Sequence, residues 1–498
     1  MKNRNRWFLS LLLIALVVLV SAATILLSRA PENSVSIKAV SDGVGGAIIA
    51  WQKEGIYVQH LSAAGQPLWK EGGIKVSEVN YASNYPLTWR TTFTLVLDGT
   101  GGAIITWDDK SQRPSDHNDP AYYDPIPFYS QRVSANGEFL WKDMFIAYGG
   151  SLPAGDYFPT TVADGTGGAV FAWNNYTTYF KALHNDLFCI QKLAPDGTRL
   201  WGEKGKTLVS SSSYRSLTEE EKAAGIKGTI GRSLPTYTGT HDIASNGDGG
   251  VFVIWEEDGN QGERTVYAQR LDTYGNPVWN DSVMVWSAPY LGGSLHSDGS
   301  GGAILAGPSY WQHIGGNGGL LERTDYFPDS VSDGLDGHIN VRVENRPLHI
   351  AATAIPPYYN QNIVYVQRFD DQKKPVWPEK PVFATPDGSL LAPLDYIADG
   401  RGGIILLWQL QKQNVAYGGT FAQKIDAEGT IKWDEEGLAV FNASDSYQDT
   451  ATVLSDGSGG ALIIAIAGNK VRGGNMVYAQ HLTADGTRLW SDGIRIDR

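Results

Sequence analysis

Asp108 and Asp109 follow Trp107, and Glu256 and Glu257 follow Trp255, each pair at the end of an apolar run. A carboxyl pair beside an indole suits sugar hydrolysis, with one carboxyl as general acid, the other as base or nucleophile, and the ring as a stacking surface. The plainer reading makes them surface carboxylates at strand ends, next to tryptophans that fill a core. Longer segments carry groups that make adaptable polar contacts at low entropy cost. These are 108–128, with His117, Tyr122 and Tyr123; 174–186, which opens on Asn174; and 344–362, with Tyr358 and Tyr359. The signatures of nucleophilic, zinc and phosphate chemistry are missing: no Gly-x-Ser-x-Gly, no His-Glu-x-x-His, no P-loop and no paired cysteines. His117, His184, His241, His313, His338 and His349 fall in loops or at strand ends, but no two have ligand spacing, so neither metal nor cofactor is expected. A net charge of -13 argues against a nucleic-acid groove and against an anionic lipid surface.

The elements that position these groups belong to a repeat. Seven times the chain reads x-x-Gln-basic-apolar with a Trp ten residues after the Gln; six copies begin with Tyr or Phe, and six carry a Gly four residues before the Trp. The Gln and Trp of each copy are Gln59 and Trp69, Gln131 and Trp141, Gln191 and Trp201, Gln269 and Trp279, Gln367 and Trp377, Gln423 and Trp433, and Gln480 and Trp490. Asp-Gly turns begin at Asp42, Asp98, Asp164, Asn246, Asp298, Asp333, Asp399 and Asp456. Eight turns against seven phrases give eight units, the fifth (291–326) without its last strand; seven units is the alternative. Each unit reads as four short strands: one into the turn, one out of it, one with the period-two Gln phrase, and one carrying the Trp. Four-stranded antiparallel units of ~40–50 residues are the signature of propeller blades. The fold class is therefore all-β, a β-propeller. A blade's last strand is outermost, so its loss in unit five would leave the ring shut.

Seven-fold recurrence makes the repeated residues architecture. A buried Gln amide needs hydrogen-bond partners, which implies a link between blades or to backbone. The basic residue after it implies a structural ion pair or a snorkelling side chain. Trp51, Trp107, Trp173, Trp255 and Trp408, at the ends of second strands, are expected to pack between blades, with carbohydrate stacking as the alternative. One carboxylate per Asp-Gly turn is too few for calcium, so turn chemistry is expected there. The single cysteine, Cys189, stands where other copies carry Tyr or Phe and reads as a small buried hydrophobe.

The phrase resembles the tryptophan-docking repeat of PQQ-type, quinoprotein-like propellers. In that family a strand reading Tyr-Ala-Leu-Asp leads to Thr-Gly-x-x-x-Trp. Val266-Tyr-Ala-Gln-Arg-Leu-Asp-Thr-Tyr-Gly275-Asn-Pro-Val-Trp279 is similar to it. The chain departs from that pattern in the Gln and basic residue, in the Asp-Gly-x-Gly-Gly turn, in the missing Trp of unit five, and in Lys373, which replaces the docking Gly of unit six. The family holds dehydrogenases and non-enzymatic assembly scaffolds, so the resemblance implies architecture and leaves activity open.

Lys2, Arg4 and Arg6 precede an uncharged run from Trp7 to Leu27, long enough for a bilayer-spanning helix of ~20 residues. Residues 1–33 are expected to form a cytoplasmic basic tip, a signal-anchor helix (7–27) and a linker, and 34–498 a single propeller outside the cytoplasm, a monomeric ring. Ser21-Ala22-Ala23 is an alternative cleavage site that would give a secreted protein. Tight turns make one face of the ring smooth, and the long connections collect on the other. The expectation is a binding or assembly scaffold that meets a protein or polysaccharide through its long-loop face. The alternative is a carbohydrate-active or quinone-cofactor enzyme with a site at the central channel.

Overall fold

The computed structural model describes residues 36–53, 55–78, 93–109, 126–142, 145–149, 159–179, 183–212, 214–215, 230–231, 236–258, 264–288, 294–298, 301–306, 310–325, 330–333, 335, 337–347, 360–370, 372, 374–384, 390–411, 419–434, 437–441, 446–469 and 475–497. Among them there is no helix, and the strands form eight four-stranded antiparallel sheets. These are sheet 1 (37–77), sheet 2 (93–149), sheet 3 (160–212), sheet 4 (236–288), sheet 5 (294–325), sheet 6 (330–384), sheet 7 (390–439) and sheet 8 (446–495). A two-stranded ribbon, Tyr214–Arg215 with Ile230–Gly231, lies between sheets 3 and 4 in the chain. Within every sheet the strands lie in chain order. First strands of neighbouring sheets pack on one another from sheet 1 to sheet 5 and from sheet 6 to sheet 8, and the first strand of sheet 8 packs on that of sheet 1. This is the arrangement of a β-propeller, with first strands innermost.

The local reason is the first turn. Asp42 Oδ1 accepts the amides of Val44 (2.9 Å) and Gly46 (2.8 Å), and Gly43 and Gly45 sit at φ of 78° and 91°. That hairpin starts a strand buried on both faces, Ala47–Gln52, whose alternate residues feed two different cores. Ile49 and Trp51 pack against sheet 8, while Ile48 and Ala50 pack against sheet 2. Seven such apolar clusters join adjacent sheets in pairs.

Two expectations are corrected. Unit five keeps its last strand, Leu320–Asp325, paired with Tyr310–Ile314. The chain also holds an eighth copy of the phrase, Tyr310-Trp311-Gln312-His313-Ile314, in which only the docking Trp is gone: Glu322 stands ten residues after the Gln. A search keyed to Gln…Trp passes over it. The second correction concerns the Trp itself, which precedes the last strand rather than lying in it. Trp69, for example, comes before Ile74–Ser77, and Trp490 before Ile494–Arg495.

Candidate functional site

The repeated polar residues are held by one another. In six sheets the Gln Oε1 accepts two amides, that of the next residue and that of the docking Trp; for Gln131 these are Arg132 at 2.9 Å and Trp141 at 3.1 Å. Its Nε2 donates to a carbonyl just beyond, Trp141 O at 3.1 Å. The Gln is thus a backbone link within its own sheet. The link between sheets is the Trp. Its indole N–H donates to a carbonyl in the third-to-fourth-strand turn of the following sheet: Trp69 to Ala135, Trp141 to Pro195, Trp201 to Thr273, Trp279 to Gly316, Trp377 to Ala427, Trp433 to Ala484 and Trp490 to Ala63. The last of these fastens sheet 8 to sheet 1. The Gly two residues after the acceptor lies under the ring: a Cβ on Gly197 would meet Trp141 at 3.0 Å.

The basic residue pairs with the turn carboxylate of its own sheet in all eight copies. The pairs are His60–Asp42, Arg132–Asp98, Lys192–Asp164, Arg270–Asp248, His313–Asp298, Arg368–Asp333, Lys424–Asp399 and His481–Asp456. Sheet 4 has Asn246 at the usual place and supplies its carboxylate two residues later, from Asp248. In Arg132, Arg270, Arg368 and His481 a second nitrogen bonds the same next-sheet carbonyl that the Trp uses. Burial works to raise the Asp456 pKa, but the His481 and Ser458 side chains and the Ser458 and Gly460 amides outweigh it and hold that carboxyl far below the usual range. The carboxylates on the tight-turn face therefore already have partners.

The other ends of the second strands carry the candidate groups. Trp107 is buried and stacked on Tyr129, with centroids 5.9 Å apart, and Trp51, Trp255 and Trp408 stack in the same way on Tyr57, Tyr267 and Phe421. Trp173 lies opposite Cys189, which is buried; burial pushes its thiol pKa up against a Thr207 contact. The residue after each Trp is Gln52, Asp108, Asn174, Glu256 or Gln409, and all five are buried, with Asp108 3%, Asn174 0% and Glu256 3% exposed. Each shares a strand face with residues that pack on the following sheet. Asp108 lies with Ile104 toward sheet 3, Asn174 with Val170 toward sheet 4, and Glu256 with Phe252 toward sheet 5. Beside Asp108 a buried hydroxyl chain crosses between sheets, with Thr161 Oγ1 to Thr106 Oγ1 at 3.1 Å and Thr106 Oγ1 to Ser130 Oγ at 3.0 Å. Asp109 donates its amide to Pro127 O (3.0 Å), and Glu257 accepts the Trp255 indole N–H (2.9 Å). His117, Tyr122, Tyr123, Tyr358 and Tyr359 lie outside the described residues.

Gln52, Gln409 and the hydroxyl chain are absent from the sequence-derived set. The two Gln were findable, because they occupy the register of Asp108. Two further, half-buried carboxylates were not: Asp242 accepts the Leu295 amide (2.8 Å) and Asp395 the Val453 amide (3.0 Å), each reaching the first strand of the following sheet. Among the described residues no group of three or more His, Cys, Asp or Glu is placed to hold a metal ion.

Neither a family profile nor a curated protein sequence matches this chain. Among solved structures, the β-propeller domain of the Trilobed protease from Pyrococcus furiosus is 11% identical, with a TM-score of 0.31, over 67% of this chain and 93% of that one. Pyrococcus horikoshii acylaminoacyl peptidase is 12% identical, with a TM-score of 0.30, over 63% of this chain and 43% of that one. A Synechocystis apocarotenoid oxygenase mutant is 10% identical, with a TM-score of 0.31, over 80% and 92%. At these scores the likenesses carry no argument about activity.

Proposed function

We propose that this chain is an eight-bladed β-propeller, held outside the cytoplasm by an anchor at 7–27, that works as a binding or assembly scaffold through its long-loop face. One observation carries the reading: at the strand ends nearest that face the residue after the Trp differs from sheet to sheet, Gln52, Asp108, Asn174, Glu256 and Gln409, each buried in its wedge where it sets the local chemistry under the connections. Specificity needs differences between otherwise equivalent positions, and the opposite face repeats one Asp-basic pair eight times. The anchor rests on the run from Trp7 to Leu27, which lies outside the described residues; among those described, no helix is long and apolar enough to cross a membrane. The enzyme reading has less support. Asp108 lies in the wedge between sheets 2 and 3 and Glu256 in that between sheets 4 and 5. A glycosidase needs its two carboxyls across one bond, ~5–10 Å apart.

The test is a membrane pull-down with the 34–498 fragment, followed by affinity measurement on the partner found. Replacing Ser115–Asp124 by a Gly-Ser linker is expected to leave the circular dichroism unchanged and to weaken binding at least about tenfold, ~1.4 kcal/mol. Undiminished affinity in the folded variant would move the site to another insert or to the tight-turn face.

A further inference from the structure

Seven sheet-to-sheet junctions carry a docked Trp, and the junction of sheets 5 and 6 has neither half of the pair. Glu322 holds the Trp position in sheet 5, and Lys373 holds the position of the receiving Gly in sheet 6. Among the described residues each of the other seven junctions has its own buried apolar cluster, and none spans sheets 5 and 6.

Strand alternation identifies what faces this gap. The residue five places after the last Gly of the first turn points to the preceding sheet. It is Trp408 in sheet 7, 1% exposed, and Arg342 in sheet 6, whose side chain is 47% exposed. Ile339 and Val341, on the opposite face, pack normally on sheet 7. Arg342 donates to Glu379 twice (3.0 and 2.8 Å) and to Glu344 (3.1 Å), and its guanidinium lies 4.3 Å over the Tyr365 ring. Arg346 completes the set, bonding Glu344 (2.5 Å) and the Tyr365 hydroxyl (2.8 Å). On the sheet 5 side Ile304 is half-buried, where its equivalents Ile48, Ile104, Phe252 and Ile405 are fully buried. Asn340 Oδ1, on the same face as Arg342, is buried without a partner. Around Arg342 the facing side of sheet 6 is thus solvated and self-paired. Its apolar groups on that side are Ile363, the Tyr365 ring under Arg342, and Phe369, which stacks on His338 (5.0 Å) within sheet 6.

We infer that the ring is built to part at this seam, with sheets 5 and 6 separating and rejoining while the other seven junctions stay shut. Parting elsewhere exposes an indole and an apolar cluster to water. Parting here exposes no docked indole and no shared apolar cluster, and the Arg342 cluster is already solvated, so local opening is easiest at this place. It would give sideways access to the first strands at the axis.

Hydrogen exchange on the full chain tests this. Amides of Ala303–Ala306 and His338–Pro347 are expected to exchange at least about tenfold faster than those of Ala47–Gln52 and Ile404–Gln411. The double variant Glu322→Trp/Lys373→Gly is expected to slow them by more than the two single changes combined. The reverse transplant, Trp433→Glu/Gly486→Lys, is expected to speed exchange at the junction of sheets 7 and 8. Wild-type exchange at the seam as slow as elsewhere overturns the inference. So does strict additivity in the Glu322/Lys373 set. If that double variant does not fold, the wild-type comparison and the reverse transplant still decide.

Discussion

Asp98 accepts four donors: the Thr100 amide (2.7 Å) and hydroxyl (2.7 Å), the Gly102 amide (2.8 Å) and Arg132 Nε (2.8 Å). Asp98 is 0% and Arg132 8% exposed in their side chains, while Asp248, the equivalent partner in sheet 4, is 56% exposed. Breaking a buried pair strands the surviving charge, so Asp98→Ala is expected to cost ~3–5 kcal/mol in urea unfolding. Asp248→Ala is expected to cost about 0–1 kcal/mol, because water takes over. Equal costs would show that burial is not what separates the two sites. The same groups set the acid limit. Burial works to raise Asp98, Asp164 and Asp456, but hydrogen bonds, joined at Asp164 by the charge of Lys192, hold all three below the ordinary value. Below about pH 4 the unfolded chain therefore binds more protons than the folded one, and stability falls as pH falls. Asp242 has the opposite sign: burial raises it, and the Leu295 and Ile243 amides and His296 only partly offset this. Its unfavourable ionisation is felt as pH rises through the raised folded value. Asp242→Asn is expected to lift the Tm at pH 7, with the gain vanishing below about pH 4. A gain that persists in acid would point to packing instead.

At the scale of the strand, the Gln phrase is a self-contained clip and the Trp a fastener, and the two separate by mutation. Trp279→Ala empties a buried aromatic site and is expected to cost ~3–5 kcal/mol in denaturant unfolding, with loop-face binding unchanged well below the Tm. Lost binding at unchanged stability would make the Trp a ligand platform. The third strand was legible because its period of two, its Gln and its basic residue recur with fixed spacing. The fourth was less so. Its register shifts at the first residue of the phrase, between Ile56 and Tyr57, Phe128 and Tyr129, Phe188 and Cys189, Val266 and Tyr267, and Val364 and Tyr365. A bulge belongs to the pairing of two strands and leaves no mark in one of them. The same holds for the fourth strand of sheet 5, which survives through backbone pairing although its Trp is gone.

For the molecule as a whole, sheet 8 meets sheet 1 without exchanging a strand. Both sheets are built from consecutive strands, and Trp490 docks on Ala63. If 7–27 is an anchor, mass spectrometry of the native protein is expected to find the N-terminus intact; a mature chain starting near residue 23 or 24 would sink the tether and leave a secreted ring. The sequence by itself determined the all-β class, the eight turns and the identity of the architectural residues, because hairpin turns and period-two strands are local and repeat faithfully. It also showed Lys373 in place of a docking Gly, and the vacancy of the Trp in unit five. Only the tertiary structure showed that a docking Trp meets the Gly of the next sheet, so that both departures fall on the same pair of sheets. It also decided which candidate acids share a wedge: Asp108 and Glu256 look alike in sequence, but the faces of their strands turn to different neighbours.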